Sequence, residues 1–232
     1  MTRNYTVNSE QTINIINQLL DDGIKKIAAM IRHSDRFYAT EPVMEPFMGL
    51  NETGKTYAYD MGTRLRVTHP PRLYSSLMAR CVETAYLIDK GFTKQHGITL
   101  EHNYMDADLF AFYIKDFVKA ISHVTRTGTH PFIRSWFNKE LGEDVMLNPH
   151  ETTDRIIGFM LKTLTGLEES QVAICVSHDW NIFPIKEFKL NLPHEEYGDI
   201  GYLDGVVFFE KNGKHYLTSY QAKEPVLVNL HP

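Results

Sequence analysis

The sequence predicts a three-layer α/β/α sandwich built on a mostly parallel sheet. Two short apolar runs, residues 26–31 (KIAAMI) and 172–176 (VAICV), have the length and content of buried strands, and residues 71–76 (PRLYSS) read as a third short strand between them. Segments with helical apolar spacing alternate with them, which favours parallel strands covered on both faces. The two apolar runs break abruptly into polar residues, Arg32-His33-Ser34-Asp35-Arg36 and Ser177-His178-Asp179. The carboxyl ends of buried strands are where open α/β sheets place their sites.

Residues 9–24 read as an amphipathic helix, with Ile13, Ile16, Leu19 and Leu20 at helical spacing and Gly23 near its end. Residues 49–66 read as a loop and a helix that carries Tyr57, Met61 and Leu65 on one face. The strand at 71–76 leads into a helix over 77–90, faced by Ala79, Val82, Tyr86 and Leu87, for which Ser76 is a plausible N-cap. Residues 101–150, rich in aromatics and broken by Gly128 and Pro131, read as a helical insertion over the site. A further helix spans 151–166, with Ile156, Ile157, Met160, Leu161 and Leu164 at the right spacing. The tail, 205–228, reads as a hairpin that turns at Lys211-Asn212-Gly213.

The whole chain of 232 residues fits one domain able to bury a full core without staples. The net charge of −5 argues against a duplex nucleic-acid binder but admits a small anion in a local basic pocket. Cys81 and Cys175 lie in no metal-binding spacing and read as buried thiols. The polar start, with no apolar segment after it, and the lack of a membrane-length run point to a cytoplasmic protein without membrane association. Oligomeric state has no signal in the sequence.

In a parallel sheet the three strand ends open on one edge. That edge would gather Arg32, His33, Arg36, Arg80, His178 and Asp179. Arginine forks donate two hydrogen bonds to two oxygens of one anion, so this cluster suits phosphate. The cluster also resembles the histidine phosphatase superfamily. Residues 32–36 are similar to its Arg-His-Gly-x-Arg signature, residues 76–85 (SLMARCVETA) to its second block, and residues 177–181 (SHDWN) to the His-Asp-x-Asn block of its acid-phosphatase branch. Residues 49–54 look like the loop before the first outer helix.

The resemblance implies a phosphoglycerate mutase-like fold and a phosphomonoesterase that needs no metal or other cofactor. His33 would be the nucleophile, and Arg32, Arg36, Arg80 and His178 would bind phosphate. Asp179 would be the acid, with Asp106 or Asp108 as the alternative that a mutase-like branch would use. The expected ligand is a small phosphorylated substrate. A phosphomutase and a non-catalytic phosphate-binding domain are the rival readings. Two departures stand out: Ser34 replaces a glycine, and Tyr38 stands where the acid-phosphatase branch has proline.

Overall fold

The computed structural model describes residues 5–67, 69–98 and 103–229. Helix α1 (Tyr5–Asp21) turns through Gly23, at φ 79°, into strand β1 (Lys26–Arg32). A 3₁₀ segment (Pro42–Phe47) and α2 (Glu52–Arg64) follow, then β2 (Arg72–Ser75) and α3 (Ala79–His96). Next come β3 (Asn103–Met105), α4 (Phe117–Thr127), α5 (Thr129–Phe137) and α6 (Pro149–Thr165). The chain continues through β4 (Gln171–Ser177), α7 (Asp179–Leu190) and α8 (His194–Tyr197). It closes with β5 (Gly205–Lys211), β6 (Lys214–Thr218) and β7 (Val226–Leu227). Among the described residues no helix is long and apolar enough to cross a membrane.

One sheet of seven strands runs in the order β3-β2-β4-β1-β5-β6-β7. Its first four strands are mutually parallel, and β5, β6 and β7 add antiparallel pairings. The sheet is thus parallel at its core, as the apolar runs predict. The strand alternation of β1 feeds two separate cores: Ala28 and Met30 face the α4–α7 side, while Ile27, Ala29 and Ile31 face α2 and α3. Helices therefore cover both faces, the third-layer arrangement that near-continuous apolar strands require.

Local chemistry sets the element ends. Asn51 caps α2 by accepting from the Gly54 amide, Asp116 caps α4 through Lys119, and Asn148 caps α6 through His150. The expected cap at Ser76 is not made: α3 begins at Ala79 with Met78 as an N-cap that offers no side chain, and the Ser76 hydroxyl turns to the site. Residues 101–102 lie outside the described ones. The segment that follows is not wholly helical, because Asn103–Met105 pairs with β2 and extends the sheet.

Helices α2 and α3 cross at glycine. A Cβ on Gly62 would stand 2.0 Å from the Ile88 carbonyl oxygen, and one on Gly91 would stand 2.0 Å from that of Tyr59. Neither backbone can yield without moving the other helix. Gly62→Ala is expected to destabilise the fold by about 3 kcal/mol, overpacking outweighing the helix propensity that alanine adds. Urea unfolding of the variant checks this; an unchanged midpoint would contradict the close crossing.

Candidate active site

The sheet register builds the site. Arg32 of β1 lies opposite Ser177 of β4, and Ser75 of β2 lies opposite Val176. The residues immediately past the three strands, His33, Ser76 and His178, therefore fall side by side on one edge. His33 is 3% exposed and His178 7%. Their rings meet edge-on with centroids 5.6 Å apart.

Hydrogen bonds fix both rings. His33 Nδ1 lies 2.8 Å from the Ser34 carbonyl oxygen, which can only accept, so Nδ1 carries the hydrogen and Nε2 the lone pair. Arg80 Nε donates to that Nε2 at 3.1 Å. Arg80 also reaches His178 Nδ1 at 3.4 Å, which leaves His178 Nε2 to donate to Ser76 Oγ at 2.9 Å. The loop carrying His33 is held from α3: Ser34 N donates to Thr84 Oγ1, which itself donates to the Arg80 carbonyl. Ser34 is not among the residues with positive φ, so serine here carries no left-handed strain. The site tolerates it without the backbone that would demand glycine.

Three arginines surround the imidazoles. Arg32 donates to the Ile200 carbonyl, pairs with Asp179 at 3.2 Å and stacks over Tyr202 at 4.4 Å. Arg36 pairs with Glu45 at 2.6 Å and stacks over Tyr38 at 4.0 Å, and the Tyr38 and Tyr202 hydroxyls meet at 2.8 Å. Arg80 donates to the Glu45 carbonyl oxygen at 3.0 Å. The Nε atoms of Arg32 and Arg36 are buried without a hydrogen-bond partner. Buried guanidinium donors left unused in this way mark a place suited to an anion. Asp179 opens α7, its Oδ1 accepting from Trp180 N, and its side chain is 28% exposed.

The alternative carboxylates sit differently. Asp106 follows β3 and caps a short 3₁₀ turn through Asp108 N, while its own amide donates to Ser75. Asp108 is held by Arg155 at 2.6 Å. Thus the six residues singled out in the sequence come together, Asp106 lies beside the end of β2, and Asp108 is engaged elsewhere. Glu45, Thr84 and Tyr202 complete the site without having been singled out. Thr84 belonged to a recognised block, but nothing in the sequence around Glu45 or Tyr202 marks either one.

Burial, and then the neighbouring basic groups, push both histidines well below the usual imidazole range; for His33 these are the His178 ring, with which it cannot share positive charge, and the Arg80 and Arg32 guanidiniums, and for His178 they are the guanidiniums of Arg80, Arg32 and Arg36. Both rings are accordingly neutral in the fold, whereas the unfolded chain takes up protons near pH 6.5. Stability from this source is complete above pH 6.5 and is lost as the pH falls toward the folded values, by up to about 1.4 kcal/mol per pH unit for each ring. Asp204, its buried carboxyl pushed up to about 6, acts in the opposite sense between its ordinary 3.8 and that value. The acid-dependent loss is expected to be shallower in His178→Gln than in the parent, read by urea unfolding at about pH 7 and about pH 5. Equal slopes would contradict the neutral assignment.

Cys81 and Cys175 are free and buried. Burial pushes the Cys81 thiol up to about 12, and it lies against His178 as a packing group rather than a thiolate. Among the described residues, one cluster has metal-ligating geometry, Glu187, His194 and Glu195 on α7 and α8. Both of its carboxylates are already held by Arg134, at 2.9 and 2.6 Å.

Three arginines thus gather around two buried histidines at the carboxyl edge of the parallel part of the sheet. The family model of the histidine phosphatase superfamily, branch 1, matches residues 29–200, and the chain belongs to that superfamily. Its members include phosphatases and mutases. The fold is shared with the YhfR protein of Bacillus stearothermophilus at 16% identity and a TM-score of 0.55, covering 83% of this chain and 95% of that one. It is shared with a mycobacterial glucosyl-3-phosphoglycerate phosphatase in complex with VO3 at 14% identity and a TM-score of 0.55, covering 85% and 100%. A phosphoglycerate mutase from Bacillus anthracis has it too, at 15% identity and a TM-score of 0.52, covering 84% and 92%. No curated protein sequence matches the chain.

Proposed function

We propose that the chain is a metal-independent phosphomonoesterase that works through a phosphohistidine on His33. The observation that carries this reading is the buried, neutral imidazole whose Nε2 lone pair faces Arg80 inside a cluster of three arginines. A neutral imidazole can attack phosphorus; an imidazolium cannot. Phosphoryl transfer asks for positioning and for stabilisation of charge on the equatorial oxygens, and arginine forks provide both.

Arg80 first moves its Nε hydrogen from His33 Nε2 to a phosphate oxygen. Arg32, Arg36 and His178 take the remaining equatorial oxygens. His33 Nε2 then attacks phosphorus in line, the bond to the leaving oxygen breaks, and protonated Asp179 gives that oxygen its proton. Water attacks the phosphohistidine in the second step. Asp179, now a carboxylate, accepts the water's proton, and inorganic phosphate leaves with His33 neutral again. Asp179 is preferred to Asp106 because it borders the arginine cluster with part of its side chain open to solvent, whereas the Asp106 carboxylate caps a 3₁₀ turn; substrate phosphate would draw Arg32 away from Asp179 and free it to carry a proton.

Hydrolysis is preferred to phosphoryl return because a mutase needs a second anion site. Residues 33–50, 76–83, 106–112, 178–181 and 198–204 contain no lysine and no arginine beyond Arg36 and Arg80, and Arg155, which reaches Asp108 and Phe112 from α6, is already paired with Asp108. In this reading the substrate is a small phosphorylated molecule, the protein needs no cofactor, and nucleic acid is not a partner.

Release of phosphate from an aryl phosphate between about pH 4 and about pH 8, in excess EDTA, tests the reading. EDTA-resistant turnover is expected. Loss of turnover on chelation, or none at any pH, would overturn it. Asp179→Asn is expected to lower kcat by about a hundredfold with an alkyl leaving group and far less with a nitrophenyl one, which departs without a proton. If Asp106→Asn shows that leaving-group pattern instead, Asp106 is the acid.

A further inference from the structure

Helix α1 is tied to the loop beside Arg32 through one buried side chain. Thr12 is 1% exposed, and its Oγ1 donates to Asp204 Oδ1 at 3.1 Å. The same carboxylate oxygen accepts from the Gly205 amide at 2.6 Å. Asp204 is also 1% exposed, and neither residue takes part in the phosphoryl chemistry. A buried carboxylate is costly to keep, so this pair calls for a reason.

Asp204 ends a loop built around Arg32. Residues 200–204 hold that arginine by its guanidinium and by its backbone. The Ile200 carbonyl oxygen accepts from Nη1 at 2.6 Å, and the Tyr202 ring centre lies 4.4 Å from the guanidinium carbon. Leu203 N donates to the Arg32 carbonyl oxygen at 3.0 Å, and Arg32 N donates to that of Asp204 at 2.9 Å. Between these contacts Leu203 is held at φ 59°. A branched side chain seldom adopts this left-handed backbone, which persists only where its surroundings fix it. The Thr12–Asp204 bond is one such fixture. Beside it the Gly205 backbone lies so near β1 that a Cβ there would stand 1.9 Å from the Met30 carbonyl oxygen. At the other end of the loop, Gln221 accepts from buried Lys186 of α7 and donates to the Tyr197 carbonyl oxygen at 2.9 Å.

We propose that Thr12 and Asp204 are positioning residues for Arg32: their bond sets the loop that presents the Arg32 guanidinium to a bound phosphate. The inference rests on the phosphate-binding reading of Arg32. The Nε hydrogen of Arg32 has no partner in the fold, and a planar fork reaches two oxygens only from a fixed orientation. Without the Thr12 hydroxyl the Asp204 carboxylate loses its tie to α1, and the loop no longer fixes that orientation. The charge of the site is unchanged.

Affinity for inorganic phosphate, read by calorimetry so that no turnover is needed, tests this in a double-mutant cycle. The parent, Thr12→Val, Arg32→Ala and the double variant are compared, each beside its urea midpoint. Arg32→Ala is expected to weaken phosphate about thirtyfold, as loss of a charged hydrogen-bond donor does. Thr12→Val keeps the shape of the side chain. It is expected to weaken phosphate about fivefold in the parent and less than about twofold in Arg32→Ala, because a fork that is gone cannot be misplaced. Thr12→Ser, which keeps the hydroxyl, is expected to match the parent. A merely structural Thr12 would lower the urea midpoint in both backgrounds and leave affinity alone. An equal loss of affinity in both backgrounds, or none in either, would overturn the proposal and leave Arg32 its role. If Arg32→Ala binds phosphate as the parent does, or the parent binds none, the phosphate-binding reading of Arg32 fails and this one with it. Should Thr12→Val not fold, Thr12→Ala carries the same expectation.

Discussion

His33→Ala is expected to stop phosphate release, lowering kcat by about four orders of magnitude or more, as loss of a covalent nucleophile does elsewhere. Among the described residues of the cluster no other group is placed to substitute. His178 is the nearest candidate, but its Nδ1 faces Arg80 and its Nε2 hydrogen is committed to Ser76. The fold should survive, because His33 sits past the end of β1 and the strand's own pairings with β4 and β5 are untouched. The variant is checked by steady-state release of phosphate beside its thermal midpoint. A folded variant that retains a tenth of the parent activity would remove His33 from the nucleophile's role.

Arg80→Ala is expected to lower kcat/KM by about a thousandfold. Arg80 touches His33 and His178 together and also reaches Glu45. Its loss removes a charge from the equatorial oxygens and the donor that holds Nε2 in place. Arg80→Lys should recover little, because a point charge on a flexible stem cannot hold the imidazole and an oxygen with one planar fork. Lysine restoring more than about a third of the activity would mean that charge alone matters here.

The sequence is legible where burial on both faces forces a continuous apolar run. Residues 26–31 and 172–176 had to be central strands, and β1 and β4 are neighbours at the sheet's centre. It is also legible where one turn chemistry dominates, as at Asn212 and Gly213, both with positive φ between β5 and β6. Strand β3 left no such mark: three exposed residues, joined to one edge of the sheet, need no apolar pattern. Helix α7 carries Pro184 in its interior and is buried on most of its surface, so neither periodicity nor breaker rules describe it. Ser76 shows the limit of local rules. A serine before a helix suggests a cap, but a buried imidazole 2.9 Å away claimed its hydroxyl.

The same distinction runs through the site. His33, Arg36 and Arg80 are readable because their spacing is fixed by strand ends and a following helix. Glu45 and Tyr202 reach the arginines from connections whose sequences carry no pattern, and they meet them only once the sheet has closed. What tells a hydrolase from a mutase, and one substrate from another, lies in such connections.

Turnover through His33 requires a phosphoryl group on that residue. Mixing the protein with an aryl phosphate, quenching in base within the first turnover and mapping the phosphorylated peptide tests it most directly. An acid-labile, base-stable phosphate is expected on the peptide containing His33, absent from His33→Ala. Phosphate release during that turnover with no phosphorylated His33 peptide would contradict it and point to direct attack by water.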